Sequence, residues 1–192
     1  TKRALVEKDG MMVWVSGNMG GSVTMLYPCS ILLGERARTD NLSIAFAGKG
    51  QTQDIGAKAI HAAPNTSSTI HSKSISRDGG ISNYRGLVRI LPKAKGAVTS
   101  VICDGLILDE HSVSNPIPSL KVENNQVDAM HEAKVGKINE EAIFYLRSRG
   151  LSEEAAMKLM VSGFIEPIVK ELPLEYAIEL NKLIELEMGN IK

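Results

Sequence analysis

A thiol, an imidazole and a carboxylate carry most of the chemical potential of this 192-residue chain. Cys103 lies in the apolar run Val101-Ile102-Cys103-Asp104-Gly105-Leu106-Ile107-Leu108, and His131-Glu132 stands where strand-like periodicity gives way to helix-like periodicity. These side-chain types bind transition metals, but a closed tetrahedral site takes four ligands, so three make a partial site that something outside the chain would complete. Each also has a plainer reading. A cysteine in an apolar strand is more often a small buried hydrophobe, and a His-Glu pair at a junction is more often a polar turn that satisfies backbone groups. His131-Glu132-Ala133-Lys134-Val135 is not a zincin motif, because Val135 stands where the second histidine of H-E-x-x-H is needed. Ala47-Gly48-Lys49-Gly50-Gln51-Thr52 lacks the spacing of a phosphate-binding loop and reads as a turn. Nucleophilic catalysis by Cys103 with His131 is chemically open, but no oxyanion-hole motif accompanies it.

Composition narrows the classes. Hydrophobic residues make up 43% of the chain, enough for one substantial domain or two small ones. The 22 basic and 22 acidic residues balance, which argues against nucleic acid or an anionic membrane surface as partner. No apolar run approaches the roughly 18 residues that span a bilayer, and Thr1-Lys2-Arg3-Ala4-Leu5-Val6-Glu7 does not resemble a signal peptide, so a cytoplasmic location is expected. In that reducing compartment Cys29 and Cys103 are expected as free thiols. At 4% aromatic the chain offers little platform for sugars, which speaks against a polysaccharide-active enzyme.

These residues must be positioned by two kinds of element. Residues 1–130 read as short strands between turn-formers, with candidates at Met11–Val15, Val23–Tyr27, Leu42–Ala47, Ser67–Ser76, Tyr84–Ile90, Thr99–Leu108 and Gln126–Ala129. The hydroxyl-rich Ser67–Ser76 suits laterally stacked strands and would make a poor helix. A sandwich and a parallel β-helix both fit this pattern, and periodicity does not choose between them. From Ile138 the pattern is helical. Asn139 and Ser152 are N-cap candidates, the second helix is expected over Glu153–Ser162 with Gly163 at its end, and a third over Pro173–Met188. Residues 1–130 hold 14 Lys/Arg and 11 Asp/Glu, and 131–192 hold 8 and 11; the composition shift puts the domain boundary near His131.

Several stretches together resemble the C-terminal part of the SufB proteins, scaffold subunits of the SUF iron-sulfur cluster assembly machinery in the SufB/SufD family. They are Gly20-Gly21-Ser22-Val23-Thr24-Met25 with Tyr27-Pro28, Leu42 to Gln51, Asn65-Thr66-Ser67-Ser68, Ser82-Asn83-Tyr84-Arg85-Gly86, Cys103-Asp104, His131-Glu132-Ala133, Phe144 to Gly150, and Gly163-Phe164. The similarity covers nearly the whole chain and roughly the last two-fifths of a SufB polypeptide, so a fragment starting inside the core domain is expected.

The resemblance implies a right-handed parallel β-helix over 1–130, truncated on its N-terminal side, and a small helical domain over 131–192. It implies a scaffold without catalytic turnover, carrying a transient iron-sulfur cluster with Cys103, Glu132 and His131 as ligands or neighbours of ligands. Sulfur would come from a cysteine desulfurase system. The β-helix would meet SufD, or a second SufB, and the helical domain would bind the ATPase SufC. A SufD-like structural subunit is the close alternative, and Cys103 followed 28 positions later by His131-Glu132 favours SufB. One winding of a β-helix is about that long, and stacked strands lie roughly 4.8 Å apart, so the groups can be neighbours. An unpaired rung edge on such a fragment predicts self-association.

Overall fold

A computed structural model describes residues 2–189. In chain order the strands are β1 (Arg3–Val6), β2 (Met11–Asn18), β3 (Val23–Leu26), β4 (Cys29–Leu32), β5 (Arg38–Ala47), β6 (Thr52–Ile55), β7 (Lys58–His61), β8 (Ser67–Ser76), β9 (Ile81–Ile90), β10 (Val98–Ile107), β11 (Val113–Val122) and β12 (Asp128–Lys137). The helices α1 (Glu140–Ser148), α2 (Glu153–Val169) and α3 (Leu174–Gly189) follow.

All strand pairs are parallel, and the strands fall into two facing sheets that the chain visits alternately. One sheet stacks β2, β5, β8, β10 and β12; the other stacks β3 and β4 on β6 and β7, these on β9, and β11 on β9. Met11 pairs with Arg38, Arg38 with Ser67, Ser67 with Val98 and Val98 with Asp128, so one turn takes about 30 residues. This is a parallel β-helix of about five turns with three C-terminal helices. The repeat is geometric: the register changes by a residue or two between turns, which is why no fixed sequence period is visible.

The corners stack as regularly as the strands. Asp9, Arg36, Asn65 and Gly96 occupy the left-handed region at successive turns, and each of their N–H groups donates to a carbonyl of the next turn: Glu35, Pro64, Lys95 and Gln126. Asn and Asp tolerate this conformation better than most residues, and Gly best. At the bend between β6 and β7, Gly56 lets two turns touch, since a Cβ there would stand 1.9 Å from the Arg85 carbonyl oxygen.

Alternation along the strands separates a lumen from an outer face. The outer face of the first sheet presents Leu42, Ile44, Phe46 and Ile75, against which α2 and α3 pack Val161, Ile165, Ile168, Ile184 and Met188. Arg77 ties this dock down, its Nη1 donating to the carbonyls of Glu187 and Met188 at 3.3 and 3.1 Å. Both carbonyls lie in the last described turn of α3, towards the end of the helix whose dipole favours a nearby cation.

Two boundaries differ from those expected. Strand β12 runs to Lys137, well past the strand end expected at Ala129, and helix begins at Glu140, close to the helical onset expected at Ile138. Polar residues on an edge strand gave no apolar alternation to read. Helix α2 continues past Gly163 and through Pro167 to Val169. Its buried Val161, Ile165 and Ile168 hold it against the sheet, and that packing outweighs the cost of two weak helix formers. The caps Asn139 and Ser152 form as expected, each side chain accepting from an N–H three residues on.

Candidate functional site

Strand alternation sorts the three candidate ligands. On β10 the buried positions Thr99, Val101, Cys103 and Gly105 face the lumen, while Ser100, Ile102 and Asp104 face outward. Across the register with β12, Val101 lies beside His131, Ile102 beside Glu132 and Cys103 beside Ala133. His131 thus shares the lumen face with Cys103, one diagonal step away on the adjoining strand. Glu132 turns to the other side of the sheet, where its Oε1 is 2.6 Å from Lys134 Nζ. It belongs there to a row of outward charges with Asp104, whose Oδ2 is 3.1 Å from Lys73 Nζ. The fold brings Cys103 and His131 together; it does not bring Glu132 to the same face.

The sulfur is enclosed. Cys103 is 4% exposed and packs with Ile70, Tyr84, Val88 and Val101. Burial pushes its thiol up to about 12, with the Asp104 carboxylate adding to the shift and the neighbouring Tyr84 hydroxyl opposing it. At neutral pH the resting group is therefore a thiol, not the thiolate that binds metal. Burial also holds the His131 imidazole below its ordinary value, so it is neutral and able to act as a ligand.

Two polar atoms in this region have no hydrogen-bond partner: Nε2 of His131 and the hydroxyl of Tyr84. Both residues line one small cavity of about 10 Å³, together with Ile70, Gly86, Val101 and Leu120. Orphaned buried polar atoms are uncommon and costly, and they concentrate where a structure serves something other than its own stability. Among the described residues no group of three or more His, Cys, Asp and Glu side chains converges closely enough to hold a metal ion. Cys103 and His131 put two potential ligand side chains on one lumen face.

This pair of residues lies next to an edge. Strand β12 pairs only with β10, so its outer backbone groups are unpaired, and β11 ends the other sheet in the same way. Pro116 and Pro118 in β11 lack an N–H, and they fit because the missing donors fall on an unpaired side. Exposed Ile117, Leu120 and Val122 on β11, and Met130 and Val135 on β12, add an apolar fringe at this end.

The other candidates resolve as structural. Cys29 is buried at the start of β4, and burial raises its thiol. Gly50 takes a positive φ in the turn around Lys49, consistent with a simple corner. His61 is wholly buried in the lumen with Nδ1 2.8 Å from Thr66 Oγ1 and Nε2 2.8 Å from Ser68 Oγ. Tyr84 is the residue that motif reasoning passed over. Its signal lay in the alternation of β9, where Ser82, Tyr84, Gly86, Val88 and Ile90 all turn inward.

No helix among the described residues is long and apolar enough to cross a membrane. Iron-sulfur cluster assembly SufBD family proteins of Staphylococcus saprophyticus and of Staphylococcus aureus strain USA300 are each 59% identical to it over 188 residues, 98% of this chain. The chain spans 40% of the length of those curated relatives. Residues 1–164, the β-helix and the start of the helical region, match the family described as SUF system FeS cluster assembly, SufBD core domain. With its lumen thiol beside an open solenoid edge, the chain thus belongs to the SufBD family of iron-sulfur cluster assembly proteins.

Proposed function

We propose that this chain is the cluster-bearing end of a SufB-type scaffold, without catalytic turnover of its own. The observation that carries the reading is that Cys103 and His131 lie one diagonal step apart on the lumen face of β10 and β12, the last two strands of the first sheet, with His131 Nε2 left without a partner. An iron-sulfur cluster takes about four protein ligands and prefers thiolates, so two groups leave room for a second subunit to supply the rest. SufD, or a second copy, would dock at the unpaired β12 edge, where main-chain groups are free to extend the sheet. Glu132 would reach a cluster growing at that edge from the outer side, giving a hard oxygen ligand that is easily displaced. A half-site of this kind holds its cargo transiently.

Burial of the thiol then acquires a role. Cys103 has to ionise to bind iron, and the closed lumen resists that, so the edge must open before assembly. ATP-driven closure of SufC on the helical region provides such a pull, transmitted by α2 and α3 through the apolar dock on the outer sheet face. Sulfur arrives as a persulfide delivered by a cysteine desulfurase system, in the cytoplasm. One observation favours the second reading, a SufD-like subunit with a structural thiol: the resting sulfur is only 4% exposed. Anaerobic cluster reconstitution on the full-length protein with SufC and SufD separates the two. Cys103→Ala should abolish stable cluster and His131→Ala should lower its yield; parent-like yield in both supports the structural subunit.

A further inference from the structure

The corner Ser76–Gly80, where β8 ends, is tied to its surroundings on both sides. Towards the helices, Arg77 donates from Nη1 to the carbonyls of Glu187 and Met188 in the last described turn of α3, while its Nε stands 2.9 Å from Asp78 Oδ2. Only 8% of Arg77 is exposed, so these contacts satisfy a charge that water reaches poorly. Towards the next turn of the solenoid, the corner is bonded to the loop between β10 and β11. Asp109 accepts from the N–H of Asp78 at 2.5 Å and, within its own loop, from the N–H groups of His111 and Ser112 and from the Ser112 hydroxyl. That hydroxyl oxygen accepts in turn from Gly79 N–H at 3.0 Å. The first residue of β11 is fixed by the same corner, since Ser76 Oγ donates to the Val113 carbonyl and Val113 N–H donates to the Gly80 carbonyl. The preceding turn lies directly against it: a Cβ at Gly80 would stand 2.1 Å from the Ala47 carbonyl oxygen.

We infer that this corner is a coupling element: it joins the end of α3, through Arg77, to the start of the edge strand β11, through Asp109 and Ser112, so that displacement of the helical region is transmitted to the end of the solenoid where a second subunit docks. The apolar dock under α2 and α3 includes, among the described residues, none from β11, so it does not make this link by itself. The corner one turn earlier has no such role, because Lys49 and Gly50 are exposed there and a Cβ at Gly50 would meet nothing within 4 Å. Asp78 and Gly79 both take the left-handed conformation, with φ of 54° and 79°, which an aspartate adopts at some cost and which the bonds on either side hold in place. If α3 moves away, the Arg77 guanidinium loses two acceptors where water is scarce. It recovers hydrogen bonds only by turning towards solvent, and Asp78, its ion-pair partner, is the residue whose N–H is held by Asp109.

The inference rests on the reading that movement of the helical region opens the docking edge, and its test needs neither cluster nor partner. Amide hydrogen exchange of the full-length protein, resolved at the peptide level by mass spectrometry, is read from both ends of the link, because coupling between two sites is reciprocal. Arg77→Met should speed exchange in the loop 109–112 by at least about threefold as well as in α3, and Asp109→Ala should speed exchange in the last turn of α3 by a similar factor, with the strand amides at parental rates in both. Asp109→Asn keeps one acceptor oxygen and should give a smaller effect in the same direction; Lys49→Ala, at the preceding corner, should leave α3 unchanged. An effect confined to the mutated side, or an equal acceleration of loop and strand amides, would overturn the assignment. If Cys103→Ala retains its cluster while the two ends stay coupled, the scaffold reading fails and the link stands. Cluster loss in Cys103→Ala with uncoupled ends removes the link alone.

Discussion

Acid should loosen this solenoid through one histidine. His61 is wholly buried, and its two nitrogens are each 2.8 Å from a hydroxyl. Thr66 Oγ1 donates to the Ala63 carbonyl, so it accepts from Nδ1–H of His61. Nε2 is then the acceptor for Ser68, whose oxygen in turn lies 2.7 Å from Thr99 Oγ1. Protonating Nε2 would turn Ser68 into an acceptor and reverse this chain of hydroxyls inside a dry lumen. Burial accordingly lowers the imidazole to about 4. Between that value and the ordinary 6.5 the unfolded chain binds a proton that the folded chain does not, so stability is full above 6.5 and is lost as pH falls towards 4. Two and a half pH units correspond to about 3 kcal/mol, a large share of a domain's stability. Urea unfolding of the parent and of His61→Gln at pH 7 and at pH 4 measures this. The parent should lose about 3 kcal/mol more than the variant on acidification. A difference between the two proteins that is the same at both pH values would refute the reasoning, because the other acid-sensitive groups are common to both.

Close contacts elsewhere give further expectations. Gly56→Ala drives a Cβ into the Arg85 carbonyl and should destabilise the chain by more than about 3 kcal/mol in the same unfolding assay, whereas Gly50→Ala, with open space around its Cβ, should cost only the strain of its positive φ. Arg77→Met removes the guanidinium that caps the end of α3, and amide hydrogen exchange in α3 should accelerate selectively while the strand amides stay protected. Raising pH from 9 to 12 should erode stability through Cys103, because the unfolded thiol ionises first; Cys103→Ala should flatten that limb of the pH profile.

How much of this was legible in the sequence depended on side-chain alternation. Ser67–Ser76 reads as a strand with the bounds the fold gives it, because a run of hydroxyl and β-branched side chains has no good helical alternative. Strand β11 is not legible, since Pro116 and Pro118 argue against an interior strand and only an edge admits them. Strands β6 and β7 were each too short to show a period, and they emerge only as the two halves that stack on β9. The choice between sandwich and solenoid came from the resemblance alone, since parallel stacking is a relation between distant segments. For the site, proximity was legible and facing was not. About one winding separates Cys103 from His131, and they do adjoin; but Glu132, the next residue along a strand, must point the other way, and that follows only once β12 is known to run through both. The place of Tyr84 lies beyond any local pattern, because it borders the same cavity as His131 from the opposite sheet.

Cys103 and His131 are proposed to form half of a cluster site that a second subunit completes at the β12 edge. Hyperfine spectroscopy of the reduced cluster, assembled on the full-length complex with nitrogen-15 histidine in this subunit alone, addresses it most directly. The account predicts a histidine-nitrogen coupling from this subunit that disappears in His131→Ala, and no cluster to measure in Cys103→Ala. A parent-like spectrum in both variants would contradict it.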